Sequence, residues 1–105
     1  MFQGDIYWVT LNKPDKRRPV LILTRTSAIS DLNAVVVAAI TTTVREIDSQ
    51  VMIGPEEGVR EDCVVNLDNI HTINKRNFGS HITHLSSAKM EEVFAAVQFA
   101  FGFDK

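Results

Sequence analysis

The sequence predicts an α+β domain, mainly antiparallel β: a small twisted barrel of five to seven short strands with a C-terminal helix packed over it. Three observations carry that expectation. Short runs rich in β-branched and aromatic residues, bounded by Gly, Pro, Asn and Asp, recur up to His84. From Ser86 onward the apolar spacing changes to that of a helix. The 105 residues are 45% hydrophobic and 23% charged, a globular composition sized for a single domain spanning residues 1–105.

Each element has a local reason. Ile6 to Leu11 mixes β-branched and aromatic residues between Gly4-Asp5 and Asn12-Lys13-Pro14, and reads as a strand. A basic turn, Lys13 to Arg18, leads into a second strand, Pro19 to Thr24, opening with proline where a missing amide matters least. Ser30 to Asn33 is a turn, and Ala34 to Thr42 is apolar on both faces, as in a strand covered on both sides. Gln50 to Ile53 alternates and is closed by the turn Gly54 to Gly58. Asp62 to Leu67 and Asn69 to Ile73 form two strands or one bent strand; Asn74 to Ser80 is turn-like and His81 to His84 a short edge strand. In the last element Met90, Val93, Phe94, Val97 and Phe101 form one stripe able to dock on the barrel. Ser86 or Ser87 caps it, Glu91 and Glu92 lie near its N-terminal end, and Gly102 ends it. Phe99 and Phe103 fall off that stripe and suit a partner subunit in a homodimer.

Several functions are disfavoured at once. The longest aliphatic run, Ala34 to Ile40, is too short to cross a bilayer, and Met1 to Tyr7 lacks the pattern of a secretory signal. Cys63 alone cannot form an intrachain disulfide, so the expected address is the cytoplasm, with no membrane partner. No glycine-rich phosphate loop is present, no cofactor is indicated, and one Cys with three His makes no recognised metal spacing. His81 and His84, three apart in a strand, are expected on opposite faces, and Cys63 reads as a small buried strand residue. The formal net charge is −2, yet residues 1–45 carry six basic and three acidic side chains. A local basic patch can hold phosphate on an acidic protein because screening confines distant charges to about 10 Å.

Two places carry chemistry. In Lys16-Arg17-Arg18-Pro19 the proline holds Arg18 in an extended backbone, launching a permanently charged fork from a stiff strand entrance. Such a fork grips phosphate with paired hydrogen bonds. In Thr41-Thr42-Thr43 the long buried strand leaves the core, and a hydroxyl there can position a phosphate or ribose.

Four segments in order resemble the MazF/PemK family of toxin endoribonucleases. They are Gly4-Asp5-Ile6-Tyr7-Trp8-Val9, Arg18-Pro19-Val20-Leu21-Ile22-Leu23-Thr24, Val35-Val36-Val37-Ala38-Ala39-Ile40-Thr41, and Val64 to Lys75, which is similar to a strand pair ending in Arg-Thr-Ile-Asp-Lys. The resemblance implies an SH3-like barrel, a homodimer, metal-independent cleavage of single-stranded RNA, and neutralisation by a cognate antitoxin. It places the phosphate-handling arginine on Arg18, the threonine on Thr41 and an acidic residue on Asp68. Lys16, Arg17, Thr42 and Asn66 are the accompanying RNA- or antitoxin-contacting positions. This chain lacks the family's Gly-His-Glu-Gln stretch before Arg-Pro and carries Asn66, His71 and Asn74 where members have Arg, Arg and Asp.

Cleavage without a metal uses the RNA's own 2′-hydroxyl, and the products are a 2′,3′-cyclic phosphate and a 5′-hydroxyl. Arg18 would stabilise the phosphorane and Thr41 position the phosphate, while Asp68 or a histidine would be the base. The competing readings are a CcdB-like toxin that poisons a protein target such as gyrase, and a non-catalytic RNA-binding relative. Arg18-Pro19 together with Thr41 favours the nuclease.

Overall fold

A computed structural model describes residues 1–10 and 16–103. The predicted turn at Asn12-Lys13-Pro14, with Leu11 and Asp15, lies outside the described residues. Six strands form one antiparallel sheet: β1 (Asp5–Thr10), β2 (Arg17–Ile22), β3 (Ala34–Thr41), β4 (Gln50–Ile53), β5 (Cys63–Asn74) and β6 (Phe78–His84), in the order β4-β5-β3-β2-β1-β6. The sheet curls into the expected barrel-like form, and the Thr83 hydroxyl on β6 donates to the Glu57 carbonyl (2.9 Å) in the turn after β4, linking its two ends. α1 (Thr26–Ile29) is a single turn, and α2 (Ser87–Phe101) closes the chain.

The β-branched run of β3 sits at the centre, between β2 and β5. Its alternate side chains feed two cores. Ala38 and Ile40 pack with Ile6, Leu21 and Val65 beneath Met90, Val93 and Ala96 of α2. Val35 and Val37 pack with Val9, Val20, Ile22 and Ile29 on the other face. β2 begins two residues earlier than the sequence suggests, so Arg17 and Arg18 already pair with Thr10 and Val9, and Pro19 lies inside the strand. It is tolerated because pairing with β3 starts only at Val20–Ala39. The strand also ends earlier, at Ile22, because the Thr24 hydroxyl rather than the ladder receives the Val36 N–H (2.8 Å).

The segment from Cys63 to Asn74 is one bent strand. Opposite the step from Ala38 to Ala39, the partner jumps from Ile70 to Asn66, leaving Leu67, Asp68 and Asn69 as a bulge. The bulge is pinned from outside the ladder: the Leu67 N–H donates to the Ser49 carbonyl (2.9 Å) and the buried Ser49 hydroxyl to the Asp68 carboxylate.

α2 starts and stops where its caps place it. The Ser86 side chain accepts from the Lys89 N–H (3.1 Å), and Gly102 adopts φ 75°, with the Phe103 N–H returning to the Gln98 carbonyl (2.8 Å). Its buried face differs from the predicted stripe. Met90, Val93 and Ala96 are buried, with Val97 and Ala100 partly so, whereas Phe94 and Phe101 are 43% and 49% exposed. The small Ala96 and Ala100 let the helix lie close to the sheet, which rotates the phenylalanines to its flank. Glu91 and Glu92 fall past the first turn, and Glu92 pairs instead with Lys89 (3.3 Å). No helix among the described residues is long and apolar enough to cross a membrane.

Candidate functional site

Where β2 and β3 leave the ladder they border an open cavity of about 920 Å³. The antiparallel register, continued two residues past Val20–Ala39, sets Arg18 against Thr41 on one face of the sheet. Both line the cavity, with Val20 and Ala39 between their level and that of His71, which pairs with Val37. Arg18 is exposed and Thr41 half-buried. The Thr41 hydroxyl accepts from the Thr43 N–H (3.1 Å), which fixes the oxygen and leaves its own proton for an incoming acceptor.

Arg17 points to the other face, its guanidinium carbon 4.9 Å from the centroid of the Trp8 ring. Trp8, Arg17, Thr42 and Asn69 line the same cavity, and Arg60, Glu61 and Cys63 complete a mixed-charge wall. Burial pushes the Cys63 thiol up, as do the charges of Glu61, Asp62 and Glu57, so this cysteine is a small buried strand residue as expected. Lys16 is exposed just ahead of β2.

Two predicted positions are elsewhere. Asp68 is not among the cavity-lining residues; its carboxylate holds the Ser49 hydroxyl on the bulge. Asn66 uses its side-chain oxygen to receive the Asp68 N–H (3.0 Å), shaping the same turn.

A second polar cluster was not legible as a cluster. Asp5 is 3% exposed, and one carboxylate oxygen lies 2.8 Å from His84 Nδ1 and 3.2 Å from His81 Nε2, while the other receives the Phe2 N–H (2.8 Å). The expectation that His81 and His84 face apart is therefore corrected. Between Ile6–Thr83 and Tyr7–His81 the register advances one residue on β1 and two on β6, so the extra residue, Ile82, turns both imidazoles to the Asp5 face. Burial pushes the Asp5 carboxyl up, but the hydrogen bonds from His84, Phe2 and His81 outweigh it and hold the group below the ordinary carboxylate value. Tyr7, edge-on to His81 at 5.1 Å, is raised by burial and by the Asp5 charge. Among the described residues no group of three or more His, Cys, Asp or Glu is arranged to hold a metal ion.

Of the expected site residues, Arg17, Arg18, Thr41 and Thr42 line the cavity; Trp8, Arg60 and Glu61 stand on its wall without having been expected there. Trp8 carried no distinguishing signal within its strand, and Arg60-Glu61 lies between the turn ending at Gly58 and the strand starting at Asp62 with no motif of its own.

Residues 2–101 match the family described as PemK-like, MazF-like toxin of type II toxin-antitoxin system. The chain is 38% identical over 103 residues to a probable endoribonuclease MazF2 of Mycobacterium tuberculosis, covering 97% of this chain and 99% of that protein. The solved structure of the Mycobacterium tuberculosis toxin MazF-mt6 superposes with a TM-score of 0.86 at 37% identity, over 93% of this chain and 96% of that one. A mycobacterial endoribonuclease solved in complex with its cognate antitoxin superposes with a TM-score of 0.87 at 28% identity, over 97% and 95%.

Proposed function

The chain belongs to the PemK-like, MazF-like toxins of type II toxin-antitoxin systems, and on that premise we propose that it is an endoribonuclease cutting single-stranded RNA in the cavity between β2 and β3. The observation that carries the reading is the meeting of Arg18 and Thr41 on one sheet face at the mouth of that cavity. The RNA's 2′-oxygen attacks the neighbouring phosphorus without a metal. Arg18 faces the equatorial oxygens, where charge accumulates, with a fork of donors that needs no reorganisation. The Thr41 hydroxyl, its oxygen already held by Thr43, donates its proton to the same phosphate. The products are a 2′,3′-cyclic phosphate and a 5′-hydroxyl. Lys16, Arg17 and Thr42 hold flanking phosphates, and Trp8 offers an aromatic face to a base. Asp68 and Asn66 serve by shaping the bulge that borders the groove.

The reading extends to partners. A basic rim at Lys16, Arg17 and Arg18 suits an acidic, flexible antitoxin segment that orders on binding and competes with RNA. Phe94, Phe101 and Phe103 on one flank and end of α2 form an apolar surface for a second copy in the cytoplasm, while Phe99 is exposed on another side of the helix. The test is incubation of purified protein with RNA in EDTA, followed by direct 5′-end labelling without prior phosphatase. Fragments with free 5′-hydroxyls support the reading, and fragments with 5′-phosphates, or no fragments, refute it.

A further inference from the structure

RNA cleavage of this kind requires a group that takes the 2′-hydroxyl proton, and Arg18 and Thr41 cannot do so at neutral pH. The cavity supplies few alternatives. Glu61, the carboxylate on its wall among the described residues, lies close enough to Cys63 to push that thiol up. Cys63 packs with Ala38 and Ile40 on the sheet face opposite Ala39. Asp68 is turned to Ser49 on the bulge. His81 and His84 are bound to Asp5 and do not line the cavity. The Cys63 thiol is buried and pushed up. Among the described residues His71 is the one imidazole on the cavity wall, and it is exposed there.

Its placement fits the task. His71 pairs with Val37, and Arg18 stands at the level of Thr41, both on the sheet face that carries Val20 and Ala39. At about 3.3 Å per residue, Ala39 lies about 7 Å along β3 from each of these levels. Its single methyl makes a low floor between them. A phosphate resting over Ala39 is then within side-chain reach of Arg18 and Thr41 from one end and of His71 from the other. The β5 bulge supports this arrangement by carrying Leu67 to Asn69 out of the ladder just beside that floor.

We propose that His71 is the general base of this chain's RNA cleavage, an inference that rests on the nuclease reading above. The 2′-oxygen's proton moves to a ring nitrogen of His71 as the P–O2′ bond forms. The P–O5′ bond breaks, the 5′-oxygen takes a proton from water, and the imidazolium returns its proton to solvent. Imidazole is the side chain that changes charge in the neutral range, so a base of this kind predicts a cleavage rate that rises with pH and then levels. Among the described residues, the other charged and titratable groups lining the same cavity are Arg17 and Arg18 from β2, Arg60 and Glu61 from the segment before β5, and Cys63 on β5; β3 contributes none.

The test measures single-turnover cleavage of one RNA in EDTA from pH 5 to 9 for wild type, His71→Gln and His71→Arg, with circular dichroism to verify folding. His71 is exposed, so both variants are expected to fold. Both should lose about 100-fold in rate at neutral pH and lose the rising limb. Arginine restores a cation but cannot accept a proton, so rescue by His71→Arg would overturn the base assignment in favour of a purely electrostatic role. Retention of the limb in His71→Gln would overturn it as well. If the wild type leaves the RNA intact, the nuclease reading falls and this assignment with it. If the wild type cuts and the variants match it, only His71 falls.

Discussion

Replacing Asp5 tests whether the N-terminal strand and the edge strand β6 are held together by one buried carboxylate. Asp5→Ala removes hydrogen bonds from the Phe2 N–H at 2.8 Å, His84 at 2.8 Å and His81 at 3.2 Å. Hydrogen bonds to a charged group contribute about 1.5–3 kcal/mol each when buried. The two imidazoles are about half exposed, at 47% and 54%, which lowers each of those contacts to about 0.5–1 kcal/mol. With about 1.5 kcal/mol for the amide of Phe2, the loss is about 3 kcal/mol. For a domain of this size that lowers Tm by on the order of 15 °C. Asp5→Asn keeps the volume and one acceptor oxygen, so about half of the loss is expected. The sign of the pH dependence follows from the depressed Asp5 value in the folded state. The unfolded chain binds the proton more readily, so the contribution is complete above about pH 4. It disappears as pH falls through the lowered folded value. Thermal unfolding of wild type and Asp5→Asn from pH 7 to pH 2 should therefore show a gap that is constant near neutrality and closes in acid. A gap under 2 °C at pH 7, or one that persists unchanged at pH 2, would refute the carboxylate's role.

Gly58 combines φ 98° with a Cβ position that would collide with the Thr83 hydroxyl, so Gly58→Ala should break the Thr83–Glu57 link and destabilise by about 2 kcal/mol; a Tm within 3 °C of wild type would contradict this. Light scattering should give a mass near twice 11.7 kDa, and Phe94→Ser with Phe101→Ser should return it to the monomer with the circular dichroism spectrum unchanged. Thr41→Ala should slow RNA cleavage by on the order of 10²-fold while sparing stability, because one donor to the phosphate is lost; unchanged turnover would remove Thr41 from the site.

The parts of the fold legible in the sequence are those decided by local chemistry. β4 coincides with the alternating Gln50–Ile53, β3 with the valine-rich run, and the bounds of α2 with Ser86 and Gly102, because strand propensity and capping depend on neighbouring residues alone. The bulges were hidden because an extra residue is defined only by the partner strand. Ile82 thereby reversed the expectation for His81 and His84, and the Leu67–Asn69 bulge holds Asp68 on Ser49 instead of on the cavity wall. The helix stripe was misjudged because side-chain size drew attention to Phe94 and Phe101, whereas close packing selected Ala96 and Ala100. Among the cavity-lining residues, Arg18 and Thr41 were readable from Pro19 and from the exit of a buried strand. The approach of His71 and Trp8 to the same cavity depends on sheet register and curl, which no local pattern encodes.

Whether Arg18 stabilises the transition state of metal-independent RNA cleavage is decided by the single-turnover rate of folded Arg18→Ala in EDTA. Removing a preorganised donor from the developing charge is expected to cost about 3–4 kcal/mol, a loss on the order of 10²–10³ in rate. Arg18→Lys should recover little of it, because an ammonium lacks the paired donors. A folded Arg18→Ala protein that cleaves within threefold of wild type would remove Arg18 from the stabilisation of the phosphorane.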